Sequence, residues 1–125
     1  MGEKQKKRIV LAEDSVSIRE AIVFGLEEEG YFVETAENGA LALQKFDGTK
    51  IDLLLTDYHM PEMTGLELIE KVRELENYRH TPILVLTTEN QKELILQAKN
   101  AGGTGWLQKP FKIEKLVQTV RRLIH

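Results

Sequence analysis

Short apolar runs alternate along this chain with longer stretches in which apolar residues recur at the spacing of a helix. The runs have the composition of buried β-strands and occupy residues 9–12, 32–36, 53–55, 83–86 and 105–107. The third run is three consecutive leucines, apolar on both faces, and is therefore expected at the centre of a sheet. A helical pattern follows each run, and this alternation is typical of an α/β protein in which helices cover a parallel sheet on both faces.

Several of the predicted helices have recognisable ends. Gly30 stops the first helix, and the second contains residues 41–46 and is predicted to end near Gly48. Thr64 and Glu67 have the spacing of a capping box, which predicts the start of the third helix. The order of elements is therefore five repeats of strand and helix.

Composition narrows the class of protein. The length of 125 residues is typical of one domain, so we predict a single domain over residues 1–125 with a short basic leader at residues 1–7. The absence of cysteine excludes thiol catalysis, thiolate metal sites and disulfides, and a cytoplasmic location is the expectation. The apolar runs are too short to cross a bilayer, and no membrane anchor is expected. A net charge of -3 argues against binding to nucleic acid.

Side chains that can carry chemistry follow the predicted strands. Glu13 and Asp14 come after the first run, Asp57 after the third, Thr87 after the fourth and Lys109 after the fifth. Right-handed crossovers make these strands parallel, so their carboxyl ends share one edge of the sheet. Ligands of open α/β sheets bind at that edge, and chemistry is therefore expected there.

Three carboxylates at one edge indicate a cation. Each has an ordinary explanation, because Asp14 or Ser15 could cap the first helix, Asp57 could cap a loop and Glu13 could be solvated. Together they repel one another unless a cation joins them, and oxygen ligands without His or Cys favour Mg²⁺. Lys109 and Thr87 would supply an ammonium and a hydroxyl to a phosphoryl group beside that ion. No glycine-rich loop follows the first strand, so an aspartate that accepts phosphate is favoured over a bound nucleotide.

These positions carry a resemblance that extends over essentially the whole chain. Glu13-Asp14, the segment TDYHMPEMTG at residues 56–65, Thr87 and the segment GWLQKPF at residues 105–111 together resemble response-regulator receiver domains. Residues 85–89 and 105–111 are similar to those of stand-alone chemotaxis regulators of the CheY type. The resemblance implies a doubly wound, flavodoxin-like α/β fold with five parallel strands in the order 2-1-3-4-5.

The resemblance also implies roles for the acidic residues. Asp57 would take a phosphoryl group from a phosphohistidine on a sensor histidine kinase. Asp14 and Asp57 would bind Mg²⁺ directly, Glu13 would act through a metal-bound water, and His59 would offer its backbone carbonyl. His59 and Glu89 would also border the path of the hydrolytic water and tune the lifetime of the phosphorylated state. The alternative for this pair is that both are simply exposed loop charges.

A switch is implied as well. Lys109 would contact the phosphoryl oxygens, and Thr87 would be drawn toward them once Asp57 is modified. Trp106 could then move into the space that Thr87 leaves, or it could simply pack against the fourth helix; family members more often carry Tyr or Phe at this position. Pro110 would follow a cis peptide bond.

The expected partners are a sensor histidine kinase similar to CheA, an output protein such as the flagellar motor switch, and a phosphatase. We expect a monomer before phosphorylation. The protein would catalyse its own phosphotransfer and dephosphorylation and no separate metabolic reaction. A phosphate sink, a kinase modulator and a receiver cut from a larger hybrid protein remain as alternatives.

Two other classes are disfavoured. Metal-dependent phosphatases with an aspartate nucleophile resemble one another in a D-x-D arrangement after the first strand, whereas Asp57-Tyr58-His59 lacks the second aspartate. A binding module that never takes phosphate would not need Asp57, Asp14 and Lys109 together.

Overall fold

The computed structural model describes residues 6–88 and 90–124, so most of the basic leader, together with Glu89, lies outside the described residues. The described part contains five parallel strands in the order β2-β1-β3-β4-β5, which confirms the expected fold class and strand order. The strands are β1 (Arg8–Ala12), β2 (Phe32–Ala36), β3 (Leu53–Asp57), β4 (Ile83–Thr87) and β5 (Gly105–Gln108).

Helices connect successive strands. They are α1 (Val16–Glu28), α2 (Gly39–Leu43), α3 (Gly65–Glu74), α4 (Lys92–Ala101) and α5 (Ile113–Leu123), with a short 3₁₀ helix at Glu76–Tyr78. The predicted capping box is present: the Thr64 side chain accepts from the Glu67 backbone, and the Glu67 side chain accepts from the Thr64 backbone. No helix in the described part of the chain has the length and apolar character needed to span a membrane.

Alternate residues of the strands face two apolar layers. Ile9 and Leu11 of β1 pack with α1 and α5, whereas Val10 and Ala12 pack in the layer with α2, α3 and α4. The central strand β3 is buried along its whole length. This sandwich of helix, sheet and helix explains why the strand sequences are apolar on both faces.

The second helix is shorter than predicted. It ends at Leu43, whereas the apolar spacing predicted helix through Phe46 toward Gly48. Lys45 and Phe46 donate backbone hydrogen bonds to carbonyls three residues back, at 3.0 Å each, so the chain tightens beyond the α-helix. Phe46 is nevertheless buried, and its ring meets that of Tyr78 edge-on at 4.9 Å. The apolar spacing therefore identified Phe46 correctly as a core residue but predicted a helix that continues beyond its actual end at Leu43.

Candidate functional site

Three acidic side chains converge at the carboxyl edge of the sheet. Asp57 is the last residue of β3, and Glu13 and Asp14 follow β1 directly. Carboxylate oxygens from all three lie within 4.8 Å of one another. Glu13 and Asp57 are buried, whereas Asp14 is exposed. The pocket therefore has two acids at its base and one at its mouth.

Lys109 reaches into this acidic group from the end of β5. Its Nζ atom lies 2.5 Å from Asp57 Oδ1 and 3.1 Å from Glu13 Oε1. Its backbone N–H donates to the Thr87 carbonyl at 2.7 Å, which ties the base of the lysine to the end of β4. The Lys109 ammonium therefore contacts two buried carboxylates, those of Asp57 and Glu13.

Burial dominates the electrostatics of Asp57. It raises the pKa of this carboxyl to about 8; the neighbouring Glu13 adds to the rise and Lys109 opposes it. Burial also acts to raise the Glu13 pKa, but hydrogen bonds from Asp57, the Ser15 backbone and Lys109 outweigh it and leave that pKa below its usual range. Burial would lower the Lys109 pKa, yet Asp57 and Glu13 hold it above its usual range. Burial and the neighbouring Glu13 therefore favour the protonated form of Asp57, whereas the contacts of Glu13 favour its ionised form.

The β1–α1 loop is held by contacts that sequence reasoning did not identify. The Ser15 backbone N–H donates to Glu13 Oε2 at 3.0 Å, and the Glu13 N–H donates to the Ala36 carbonyl at 3.0 Å. Arg19 reaches back from α1, and its Nη1 donates to the Glu13 carbonyl at 2.7 Å. Ser15, one of the two residues considered as a cap of the first helix, is the N-cap of α1. Only the fold brings the Arg19 side chain onto this loop.

Gly65 lies against the backbone of Asp57. A Cβ at this position would stand 2.1 Å from the Asp57 carbonyl oxygen, far inside contact distance. The Gly65 N–H donates to the Tyr58 carbonyl at 2.8 Å, so the start of α3 is bound to the loop that follows the aspartate. The glycine in the Thr-Gly pair of the sequence was the available signal for this close approach.

Thr87 and Trp106 lie on the same face of the sheet. Thr87 is the buried end of β4, and Trp106 pairs with Val85 in the adjacent strand. The Trp106 side chain is 46% exposed and borders a cavity of about 10 Å³ that Thr87 and Leu94 also line. That volume holds about one water molecule, so the cavity is too small for an indole.

The remaining predicted residues lie around the rim. His59 is exposed, and its ring contacts the Tyr58 ring at a centroid distance of 4.8 Å. The peptide bond between Lys109 and Pro110 is cis, the geometry that the resemblance implied. Glu89, the other proposed tuning residue, lies outside the described residues.

The acidic group fits a hard divalent cation. Asp57 Oδ1 is buried, and no group in residues 6–88 and 90–124 donates a well-aligned hydrogen bond to it, although the Lys109 ammonium lies close. The donor set contains oxygen atoms from Glu13, Asp14 and Asp57 and no His or Cys side chain. This chemistry suits Mg²⁺, which binds through one or two carboxylates and keeps several waters.

Fold and site define a flavodoxin-like α/β protein with an acidic, lysine-containing pocket at the carboxyl edge of its sheet. Residues 9–121 match the family described as the response regulator receiver domain. The chain therefore belongs to that family and is a CheY-like receiver domain of two-component response regulators.

The names of similar proteins and solved structures support this assignment. The chain is 34% identical over 118 residues to the chemotaxis protein CheY of Pseudomonas aeruginosa, covering 93% of this chain and 94% of that protein. The structure of CheY4 from Vibrio cholerae superposes with a TM-score of 0.92 at 41% identity, covering 96% of this chain and 100% of that one. Several transcriptional regulators also match, and the chain spans 45% to 56% of their length.

One structural relative contains the metal expected here. The receiver domain of the sensor histidine kinase PA1611 from Pseudomonas aeruginosa has magnesium coordinated in its active site cleft; it is 28% identical, with a TM-score of 0.86, and the match covers 95% of this chain and 98% of that one. Receiver domains bind Mg²⁺ at an acidic site, and CheY-like receiver domains interact with histidine kinases and output targets.

Proposed function

We propose that this protein is a phosphorylation switch in which Asp57 accepts a phosphoryl group from a phosphohistidine on a sensor histidine kinase. One Asp57 oxygen forms a bond to phosphorus, the bond between phosphorus and the histidine nitrogen breaks, and that nitrogen keeps the electron pair. The observation that carries the proposal is the buried Asp57 in contact with Lys109 and beside two further carboxylates. An acidic side chain on the solvated surface would not be buried beside a lysine and two other carboxylates.

Each residue of the pocket has a distinct task in this reaction. Glu13, Asp14 and Asp57 would hold Mg²⁺, with Glu13 acting through water and the His59 carbonyl adding a ligand. The bound ion would lower the repulsion between the acids and the incoming phosphoryl group. Lys109, already 2.5 Å from Asp57 Oδ1, would contact the phosphoryl oxygens.

Phosphorylation would then be transmitted through Thr87 and Trp106. A phosphoryl group adds about two negative charges and three strong acceptors beside the Thr87 hydroxyl. Thr87 lines the same small cavity as Trp106, so a shift of its hydroxyl toward phosphate changes the space next to the indole. The output surface consists of α4, β5 and α5.

The direct test is labelling with a small phosphodonor and Mg²⁺ at low temperature, followed by intact mass measurement. We expect the mass to rise by one phosphoryl group in the wild type and in the Glu70→Gln variant, a matched exposed-acid control. Asp57→Asn should abolish labelling, and Asp14→Asn should slow it strongly. Persistent labelling of the Asp57→Asn variant at the wild-type rate would contradict the assignment.

The chemotaxis role is a finer proposal, supported by the similarity to chemotaxis proteins over nearly the whole of their length. A CheA-like kinase would be the donor, the flagellar motor switch the target, and a phosphatase the route to rapid reset. Phosphorylation should raise affinity for a motor-switch protein. Unchanged affinity with rapid draining of phosphate from the kinase would favour the phosphate-sink alternative.

The lifetime of the phosphorylated state is proposed to depend on His59 and Glu89. His59 is exposed two residues after Asp57, where the family resemblance implies that a hydrolytic water would pass. His59→Asn and Glu89→Ala should change the dephosphorylation rate by about two- to tenfold, a shift of the size expected for exposed polar contacts. Equal rates in both variants and the wild type would show that these residues do not tune hydrolysis.

A further inference from the structure

An apolar pocket lies next to the acidic pocket, between the first turns of α1 and the segment that leads from β5 into α5. Its volume is about 520 Å³, which is in the range of pockets that bind small molecules. Hydrophobic residues from both sides form its walls: Ile18, Ala21, Pro110, Phe111 and Ile113. The two neighbouring pockets therefore have opposite chemistry.

Lys109 belongs to both pockets. It lines the apolar pocket, and its Nζ atom lies 2.5 Å from Asp57 Oδ1 in the acidic one. Thr88, which follows β4 directly, also lines the apolar pocket. A small molecule held at the Lys109 ammonium would therefore have Asp57 at one end and apolar walls at the other.

This arrangement defines a class of ligand. A compact ammonium such as that of Lys109 suits the oxygens of a phosphoryl group. Of the described residues that line the apolar pocket, Lys109 alone is charged, so the rest of the ligand is expected to be apolar. In phosphoryl transfer the attacking oxygen and the leaving group lie roughly in line through phosphorus, so the leaving group points away from Asp57.

The same walls disfavour two other phosphoryl compounds. A nucleoside triphosphate carries several negative charges, and the lining residues offer one cation to meet them. Acetyl phosphate would fill the phosphoryl end, but its methyl group is too small to cover the apolar walls. A donor with a larger apolar acyl group fits both ends.

We propose that the apolar pocket holds the leaving group of small phosphodonors, and that Ile18 and Phe111 make the protein selective for acyl phosphates with an aromatic acyl group. This inference rests on the proposed phosphorylation of Asp57 and adds a class of donor to it. An Asp57 oxygen bonds to phosphorus, the bond between phosphorus and the bridging oxygen of the donor breaks, and the acyl group leaves as a carboxylate with the electron pair.

The probes are benzoyl phosphate and acetyl phosphate, each with Mg²⁺. The readout is the second-order rate constant for labelling of Asp57, followed by intact mass measurement. Benzoate and acetate have similar basicity, so the ratio of the two rate constants reports what the ring gains in the pocket. We expect the wild type to prefer benzoyl phosphate at least about tenfold, because the pocket would bury the ring.

Two variants change the pocket in opposite ways. Ile18→Ala removes part of a wall, and Ala21→Phe, at an exposed position of α1, fills the space. Each should lower the ratio of rate constants at least about threefold. The matched controls lie on α1 outside the pocket: Val23→Ala shortens a half-buried aliphatic side chain, and Glu27→Phe adds a ring at an exposed position. Both controls should keep the wild-type ratio.

Benzoylmethylphosphonate separates binding from reaction, because a carbon atom replaces the bridging oxygen and the phosphoryl group cannot be transferred. With Mg²⁺ it should shift the NMR methyl signals of Ile18 and Ile113 in the wild type, and Ala21→Phe should remove the shift at Ile113. Unmoved methyl signals in the wild type would overturn the inference.

The rate constants can overturn it as well. A wild-type ratio near one, or equal ratios in the pocket variants and their controls, would show that the pocket does not select the donor, and labelling by acetyl phosphate would still support the switch. Absence of labelling by both donors would contradict the proposed switch itself, and this inference with it.

Discussion

Replacing the ionisable carboxyl of Asp57 with an amide should stabilise the protein when magnesium is absent. The side chain is 2% exposed, and burial raises its pKa to about 8 from a reference value of 3.8. Between these values the folded protein holds a proton that the unfolded chain has released, so stability falls as the pH rises. Asn keeps the shape of the side chain and has no proton to lose, so the Asp57→Asn variant lacks this penalty.

The magnitude follows from the displacement of the pKa. The folded pKa lies about four units above the reference value, and about three of those units lie below pH 7. Each unit is worth about 1.4 kcal/mol, so the penalty at pH 7 is about 4 kcal/mol. The attraction of Lys109 at 2.5 Å is already contained in that pKa, so about 4 kcal/mol is an upper bound on the gain. We expect the Asp57→Asn variant to exceed the wild type by about 1–3 kcal/mol in free energy of unfolding at pH 7.

The assay is urea unfolding in EDTA from pH 4 to pH 8, followed by circular dichroism. The difference between variant and wild type should be smallest at pH 4, close to the pKa of 3.8 at which the unfolded chain releases this proton, and should grow toward pH 8. Glu70→Gln, a change at an exposed acid on α3, should stay within about 0.5 kcal/mol of the wild type at every pH. A variant that is less stable than the wild type at pH 7, or a difference that does not depend on pH, would refute the reasoning.

Three further changes test other parts of the site. Gly65→Ala should lower the free energy of unfolding by about 2–4 kcal/mol, because its Cβ would stand 2.1 Å from the Asp57 carbonyl oxygen. Gly105→Ala, with ordinary contacts at 3.7 Å, is the control and should cost less than about 1 kcal/mol. Equal losses of stability for the two variants in urea unfolding would contradict this. Arg19→Ala should weaken Mg²⁺ binding about tenfold in calorimetry by releasing the loop after β1, and Arg19→Lys should restore part of it; unchanged affinity in Arg19→Ala would exclude this role. Fluorescence of Trp106, the only tryptophan, should respond to Mg²⁺ with beryllofluoride, and silence despite binding demonstrated by NMR would show that the indole does not report activation.

The alternation of apolar runs with helical patterns was enough to predict the fold, because alternate residues of each strand pack into the two layers of the core. The helix ends were less predictable. Phe46 is buried and fits helical spacing, yet the backbone beyond Leu43 tightens into hydrogen bonds over three residues. Apolar residues at helical spacing indicate which side chains face the core. They do not determine whether the backbone hydrogen bonds span three residues or four.

The acidic pocket was predictable because its residues stand at strand ends, and parallel topology brings those ends together. Arg19 and Gly65 were not identified, because their roles depend on backbone carbonyls. Arg19 contacts the carbonyl of Glu13, and Gly65 makes room for the carbonyl of Asp57. Every residue offers the same carbonyl, so the residue type that accepts such a contact gives no signal, and only the glycine of the Thr-Gly pair hinted at one of the two contacts.

The charge balance of the pocket supports the proposed phosphorylation switch. In their ionised forms, three carboxylates and the Lys109 ammonium leave two negative charges, which one divalent cation would balance. Phosphorylation converts the Asp57 carboxylate into a neutral acyl group and adds about two negative charges on phosphorus. The loaded pocket would therefore gain about one uncompensated negative charge in a buried place, where an added charge is costly unless donors move toward it. Lys109 is already in contact with Asp57 and Glu13, and the Thr87 hydroxyl at the neighbouring strand end is a further donor that would move toward the added charge.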